Sequence, residues 1–483
     1  MKNRTGLFLG AGASYEAGMP LAWDLSAEIK DWLTADKLRE LNAGWRLQGT
    51  GHCDAVIEDL ISVLERPHLH YEAILGWLEV QRRRERTLAQ EYYGLYSWLV
   101  EIVYYHLYFR QVNSETFLHR NLPLYDGIRT LVAENVPLWI FSLNHDVIVE
   151  ALAARLSIPI HSGFSAATVT LPRRNTTGKK TGQIRAEVLT RHELEHGAMH
   201  FPNPPRSGIC LLKIHGALDE FTFNDGQDLL KLLPDAPGEA GVIDALRAAN
   251  EDLFYLQPGA PGGKAKVTNT ITYADDHGEM QFLRRSLLAG AFKFDARSSQ
   301  DLPMSMLRHF RANLNFVSTL ICIGYGFGDQ HINFALREWL ELSRDRRLEI
   351  VSPGVDDVPT ALLHLSPQVT YSAMAATDYL DSRAGIVRSS LEKTGKRLAS
   401  VLRSLGKKRA DVAFAAFSQE HQHRMIQALL ARVPVIDGKP NFSRLGEPAD
   451  VAKQLGAEIN PSEEDLLRQI LSYCETRVGE TNN

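Results

Sequence analysis

Five short, almost continuously apolar segments, each ending in glycine or polar residues, constrain the fold of this chain more than any other feature. They lie at residues 6–9, 136–143, 209–214, 319–323 and 348–351. Uninterrupted apolar runs of this length are typical of strands buried on both faces, as in a parallel sheet covered by helices. In open sheets of this kind, ligands bind at the carboxyl ends of the strands. The sequence therefore predicts an α/β fold with a Rossmann-like parallel sheet, and it places any functional site at those strand ends.

The segments between the predicted strands add to this core. Residues 45–132 carry apolar side chains at helical spacing, which predicts a helical insertion. Residues 165–207 and 233–300 are polar or rich in proline and glycine, and we expect loop or hairpin insertions there. The chain beyond the last predicted strand has a helical pattern. We therefore expect a first domain over residues 1–365 and a helical C-terminal region over residues 366–483.

Composition excludes several classes of protein. The 483 residues are 44% hydrophobic and 23% charged, which is typical of a globular chain with a sizeable core. The formal net charge of −5 argues against direct nucleic-acid binding. Apolar runs fall short of the roughly 20 residues that span a bilayer, and Met1–Thr5 leads directly into a predicted strand, so we expect neither a membrane span nor a signal peptide. The four cysteines form no Cys-x-x-Cys pair, which predicts a reduced, cytoplasmic protein without a structural zinc site.

Two of the strand ends carry groups suited to binding a ligand. Gly10 and Gly12 follow the first predicted strand and let the backbone approach a ligand, while Ser14 and the amides of the following helix can bind a phosphate. The same residues would also make an ordinary tight turn. Asn144 and Asp146 follow the second strand and can face one ligand, although both residue types are common helix caps. Each loop alone leaves a binding and a structural interpretation open.

Two further strand ends carry groups of the same kind. His215 directly follows the third predicted strand, where it can act as a general base or be a buried core histidine. The loop after the fourth strand has three glycines in five positions, beginning with Gly324, which indicates close backbone contacts. Asp329 then precedes a predicted helix and can cap it.

Taken together and in this order, the four segments resemble those of the sirtuin-like (silent information regulator two) superfamily. The stretches from Gly10 to Leu25 and from Gly324 to Asn333 are similar to its bacterial branch, and the resemblance covers about residues 5–360. It implies a Rossmann-type sheet that binds NAD as a substrate, with Asn144 and His215 as the catalytic residues. The residues that would bind NAD by this resemblance are Gly10, Ala11, Gly12 and Ser14 along the pyrophosphate, Asp146 at the nicotinamide ribose, Gly324 and Tyr325 on the adenosine side, and Asp329 and Ser352 nearby.

The chain departs from the protein deacylases of this family in two ways. It lacks the paired cysteines of their zinc module, and His215 follows Asn144 by 71 residues, an interval that the insertion at 165–207 widens. In lacking that module it resembles the NAD-hydrolysing members of antiphage defence. The resemblance then implies an NAD+ hydrolase that depletes cellular NAD and releases nicotinamide and ADP-ribose. It also implies restraint by self-assembly or a partner, with a homo-oligomer and a HerA-type ATPase as the expected forms. The alternative is a non-hydrolytic sensor of NAD or ADP-ribose.

A second catalytic pattern lies outside these strand ends. His192, Glu193 and His196 fit the zinc-protease sequence His-Glu-x-x-His, which on a helix places both histidines on one face. Glu195 is charged where such helices are usually apolar, and the segment lies in a polar insertion without an obvious third ligand. We therefore expect no catalytic metal here.

Overall fold

A computed structural model describes residues 4–175, 177–253, 268–287, 305–405, 407–433, 435–436, 439–440 and 462–481. Its contacts divide the chain into two units, Met1–Gly385 and Ile386–Asn483, which are described separately. None of the helices in these described residues is both long and apolar enough to cross a membrane.

The strands of the first unit are β1 (Thr5–Leu9), β2 (Leu138–Ser142), β3 (Ile160–His161), β4 (Thr168–Arg174), β5 (Lys180–Thr190), β6 (Ile209–Lys213), β7 (Glu220–Phe223), β8 (Asp228–Leu233), β9 (Thr270–Ala274), β10 (Met280–Arg285), β11 (Thr319–Ile323), β12 (Arg347–Val351) and β13 (Val369–Ser372). Its helices are α1 (Ala22–Trp32), α2 (Ala35–Leu47), α3 (Asp54–Leu64), α4 (Tyr71–Arg84), α5 (Ala89–Asn113), α6 (Glu115–Asn121), α7 (Ile128–Glu134), α8 (Ile148–Leu156), α9 (Arg191–His196), α10 (Gly238–Glu251), α11 (Ser305–Asn313), α12 (Gln330–Glu341) and α13 (Ala376–Ala384).

The predicted parallel sheet is confirmed. Seven strands pair in the order β13-β12-β11-β1-β2-β6-β3, and every pairing is parallel. All five predicted strands lie in this sheet, and β2 and β6 are buried along their whole length. The chain moves outward from β1 through β2 and later returns to β11 on the other side of β1. This reversal between β1 and β11 is the position at which open α/β sheets bind ligands.

Helices cover both faces of this sheet. One apolar cluster joins Leu7 and Ile140 of the sheet to α1, α3–α5 and α8, so the helices before β2 form one thick layer. The other cluster joins Phe8 and Phe141 to α11 and α12 on the opposite face. Because successive side chains of a strand point to opposite faces, neighbouring residues such as Leu7 and Phe8 enter different clusters. The α/β fold with helical additions is therefore present, as the apolar pattern predicts.

A second sheet is built from the two expected loop or hairpin insertions together with the chain between them. Six antiparallel strands pair in the order β4-β5-β8-β7-β10-β9 around a separate apolar cluster. The insertion at 165–207 supplies β4 and β5, and the described part of 233–300 supplies β9 and β10. Strands β7 and most of β8 lie between the two insertions. The glycine- and proline-rich loop at 257–263 lies outside the described residues.

The chain after residue 365 contributes to the first unit before the second begins. Strand β13 forms the edge of the parallel sheet, and α13 follows it. The second unit contains α14 (Ser390–Leu405), α15 (Lys407–Arg432), a short hairpin of β14 (Val435–Ile436) and β15 (Lys439–Pro440), and a last helix at Glu463–Thr481. Leu398, Phe417 and Ile470 pack together in its core, so these three helices form one apolar bundle.

Candidate functional site

The loop after β1 forms a compact turn. A short 3-10 helix over Ala11–Ser14 follows Gly10, and α1 begins only at Ala22. Residues 15–21 therefore separate Ser14 from α1 along the chain, and binding of a phosphate by Ser14 and the amides of that helix stays a prediction. Ser14 is buried, whereas Ala11 is exposed.

The glycines of this loop are required by contact with the loop after β11. A Cβ atom on Gly10 would lie 2.6 Å from the carbonyl oxygen of Gly324, and one on Gly12 would lie 2.8 Å from the Cα of Gly324. Gly324 itself has a φ of +65°, and a Cβ there would lie 2.3 Å from the amide nitrogen of Ala13. Close backbone contact between the two loops thus accounts for these three glycines, while a role in binding pyrophosphate stays a prediction. At Gly326 and Gly328 the space around a Cβ is open.

Asn144 joins the first loop to the loop after β2. Its Nδ2 donates to the carbonyl oxygen of Gly10 at 2.9 Å and to Oγ of Ser14 at 3.0 Å, and the residue is 8% exposed. The carbonyl oxygen can only accept, so this contact fixes which end of the amide faces the loop. Oδ1 of Asn144 makes no hydrogen bond within the described part of the chain.

Asp146 lies deeper in the same loop. Its Oδ1 accepts from the amide of Ile148 at 3.1 Å, which is an Asx turn just before α8, whose N-cap residue is Val147. Burial raises the pKa of Asp146, while the positive charge of Lys213 and a hydrogen bond from Ser14 act in the opposite direction. Since Ser14 accepts from Asn144 and interacts with Asp146, one hydroxyl links the two polar side chains of this loop.

His215 occupies the position on β6 that corresponds to Asn144 on β2. Ser142 and Lys213 are register partners in the parallel ladder, and each of the two residues follows its partner by two positions. The amide of Ile214 donates to the carbonyl oxygen of Ser142 at 2.9 Å, so the ladder continues past the strand ends. His215 is 3% exposed. The two predicted catalytic residues therefore follow neighbouring strands at equivalent positions.

The loop after β11 provides the remaining groups. Oδ1 of Asp329 accepts from the amides of His331 and Ile332 and caps α12, while its Oδ2 lies 3.4 Å from Nε2 of His215. The hydroxyl of Tyr325 contacts the carbonyl oxygen of Asp329 at 3.1 Å, and burial raises the pKa of that hydroxyl. The cap interpretation of Asp329 is correct, and the same carboxylate also faces the predicted base.

Ser352 lies one strand farther along the same edge. It follows β12, is partly buried, and donates through its amide to the carbonyl oxygen of Ser372 at 3.2 Å. The amide of Gly324 donates to Val351 at 2.9 Å, which joins the loops after β11 and β12. Every predicted site residue therefore follows β1, β2, β6, β11 or β12 at the carboxyl edge of the sheet.

A buried charged cluster behind this edge was missed by the sequence reasoning. Nζ of Lys231 lies 3.2 Å from Glu150, 2.8 Å from Asp219 and 3.3 Å from Glu220, and Lys213 lies 3.5 Å from Glu150. All five residues are at most 7% exposed. In the sequence, this cluster is indicated only by a charged residue at the end of an apolar run, as at Lys213. Such a residue does not reveal which acidic side chain it will pair with.

The zinc-protease pattern lies elsewhere, on α9. His192 and His196 are exposed with ring centroids 4.9 Å apart, as expected of residues that share a helix face. Glu193 accepts from the amide of Thr190 at 2.9 Å and contacts His200 at 3.0 Å, so its carboxylate serves the helix cap. Within the described ranges, no three histidine, cysteine or acidic side chains are grouped so as to hold a metal ion.

Comparison with known proteins gives no family assignment. The chain matches no protein-family model, and no curated protein matches it significantly. The resemblance to the sirtuin-like superfamily therefore rests on the four sequence segments alone.

Proposed function

We propose that this protein is an NAD+ hydrolase that cleaves the N-glycosidic bond to nicotinamide and releases nicotinamide and ADP-ribose. The observation that carries the proposal is the placement of Asn144 and His215. They follow adjacent strands at the same register, and Asn144 contacts the loop of Gly10 and Ser14. The four segments that resemble the sirtuin-like family thus meet at one edge of the sheet, beside the point where strand order reverses.

The contacts of Asn144 suit a residue that positions water. Its amide nitrogen is held by Gly10 and Ser14, which leaves Oδ1 as the acceptor for a ligand or a water molecule. Water that donates one hydrogen to Oδ1 would keep a lone pair for attack on the anomeric carbon. Because Ser14 restrains the amide, this acceptor is oriented before the substrate binds.

His215 suits the role of general base in the same reaction. It is an imidazole at a strand end, and its Nε2 lies beside a carboxylate that favours the protonated form produced by proton transfer. In cleavage of this bond, positive charge develops on the ribose as nicotinamide leaves. The base would accept a proton from the attacking water or from a ribose hydroxyl, a contribution of typically ~10²–10⁴-fold in rate.

The biological setting follows from the same resemblance. An enzyme that destroys NAD must be restrained in a healthy cell, so we propose a cytoplasmic effector of antiphage defence that acts in a homo-oligomer. A HerA-type ATPase is the proposed partner. Activity of the purified chain is then expected to depend on protein concentration or on that partner.

The proposal is tested by nicotinamide release from NAD at high protein concentration, with and without the product of the neighbouring gene. We expect turnover by the unaltered protein and a loss of at least about 100-fold in Asn144→Ala and in His215→Gln. Asn315→Ala and His364→Gln change the same residue types at exposed positions and should retain turnover. Full turnover by the two site variants would refute the assignment. Stoichiometric NAD binding without release would instead support the sensor.

A further inference from the structure

Asp329 uses its two carboxylate oxygens for different purposes. Oδ1 accepts from the amides of His331 and Ile332 at 3.0 and 3.2 Å, which is a complete N-cap of α12. Oδ2 lies 3.4 Å from Nε2 of His215, and the two side chains are 14% and 4% exposed. Because the two amides hold Oδ1, the carboxylate has little freedom to rotate Oδ2 away from the imidazole.

The surroundings of this pair add further restraint. The hydroxyl of Tyr325 contacts the carbonyl oxygen of Asp329 at 3.1 Å and the Oδ1 of Asn333 at 2.8 Å. The ring of Tyr325 packs edge-on against Phe8 with centroids 5.2 Å apart, which ties the loop to β1. The backbone around Asp329 is therefore fixed by the sheet as well as by the helix.

We propose that Asp329 is a positioning residue for His215, which holds the imidazole in place and favours its protonated form. This inference rests on the proposed function where it concerns turnover, since His215 is the proposed base. The pairing itself is independent of the substrate. The resemblance implies only a substrate-binding role for Asp329. The proposed positioning of His215 is an additional role.

Several titratable or charged groups of the described residues lie on the elements around His215. From the loop after β2, the ring of His145 faces it with centroids 6.4 Å apart. From β6, the ammonium of Lys213 turns toward the carbonyl oxygens of Asn144 and Asp146. From the loop before α12 come Asp329 and Tyr325, followed by His331 in the first turn of the helix. Asp329 is the carboxylate that lies 3.4 Å from Nε2 of His215, so its removal should lower the titration midpoint of the imidazole.

Asparagine and serine separate the two roles of Asp329, because both cap helices well and neither carries a charge. In Asp329→Asn and Asp329→Ser, α12 should keep its cap while His215 loses the carboxylate. We expect the titration midpoint of His215 to fall by about one pH unit in both variants, since an opposite charge at this distance favours the charged form. The measurement is NMR of the protein labelled at histidine, with His215→Gln used to assign the signal.

Turnover gives the second readout. Because the base must be neutral, the acid limb of the pH–rate profile should move to lower pH by the same amount in both variants. At a pH where His215 is neutral in all proteins, turnover should fall by about 10–100-fold, as expected for loss of a group that orients an active residue. A role limited to capping would move neither the limb nor the midpoint.

Thr34→Ala is the matched control. Thr34 caps α2 by accepting from the amide of Lys37 at 3.3 Å, away from the strand ends. Its removal should lower stability and leave the His215 titration unchanged. An unchanged midpoint in both Asp329 variants would overturn the proposal even if the unaltered protein hydrolyses NAD. If the His215 midpoint shifts in both Asp329 variants but the unaltered protein does not hydrolyse NAD, the pairing is supported and the proposed function is refuted.

Discussion

Nζ of Lys213 lies 3.2 Å from the carbonyl oxygen of Asn144, on the neighbouring loop. The same ammonium donates to the carbonyl oxygen of Asp146 and lies 3.5 Å from Glu150. A cation at the end of a buried strand thus fixes the backbone of the loop that carries Asn144. Its burial, at 3% exposure, makes this contact costly to lose.

The first prediction concerns Lys213→Met. The change leaves two carbonyl oxygens and the Glu150 carboxylate without this cation in a buried position, so the free energy of unfolding should fall by roughly 3–5 kcal/mol. Adding Glu150→Gln should restore part of the loss, because it removes a buried negative charge. Urea unfolding followed by tryptophan fluorescence measures both effects.

Lys30→Met is the matched control for that change. Lys30 also donates to two carbonyl oxygens, those of Arg66 and Leu69 at 2.7 and 2.6 Å, but it is only partly buried. Its loss should cost about 1 kcal/mol. Equal costs for the two lysine variants would contradict the argument from burial.

A second prediction concerns the contact between the loops after β1 and β11. Gly324→Ala places a Cβ 2.3 Å from the amide nitrogen of Ala13 and adds strain at a φ of +65°. We expect a loss of more than about 2 kcal/mol in unfolding free energy. Gly326→Ala, where the space is open, should change stability by at most about 0.5 kcal/mol. A similar melting temperature for the two variants would show that the loops separate readily.

Much of the central architecture is predictable because each strand of the parallel sheet has its own local sequence pattern. Its strands need apolar residues on both faces, so the segments around Phe141 and Leu211 stand out as continuous runs. Parallel strands also end at one edge, which is why Asn144 and His215 could be placed together without any contact information. The weakest strand, β3, has two residues and leaves no such run.

The rest depends on pairings between distant segments. The antiparallel sheet joins β4 and β5 to β7–β10 across residues whose polar composition favours loops. The contact of His215 with Asp329 and that of Lys213 with Glu150 arise only after those segments fold. A capping aspartate and a strand-end lysine have ordinary local explanations, so the sequence offered no reason to connect them.

A third prediction tests the zinc-protease pattern on α9. Because the Glu193 carboxylate accepts from the amide of Thr190, Glu193→Ala should lower the free energy of unfolding by about 1 kcal/mol. His192→Ala should leave stability unchanged, since the side chain is exposed. Metal analysis of the purified proteins accompanies the unfolding curves. Stoichiometric zinc that disappears in His192→Ala would restore the protease interpretation.

A fourth prediction uses the buried carboxyl group of Glu220. Burial raises its pKa from 4.5 to about 7, with the charges of Asp219 and Glu150 adding to the effect and Lys231 opposing it. The folded protein therefore binds a proton between about pH 5 and pH 7 that the unfolded chain has released, so this group makes stability fall as pH rises through that range. Glu220→Gln removes the titration while Lys231 keeps its contacts with Asp219 and Glu150.

The comparison is the difference in unfolding free energy between Glu220→Gln and the unaltered protein, measured by urea unfolding from pH 5 to pH 8. The unfolding free energy of the variant should rise by about 1–3 kcal/mol relative to that of the unaltered protein, with most of the change between about pH 5 and pH 7. Glu251→Gln provides a control at an exposed residue whose carboxylate accepts from the hydroxyl of Tyr108 at 2.9 Å. A constant difference across the range would show that Glu220 is ionised throughout, with Lys231 compensating its charge fully.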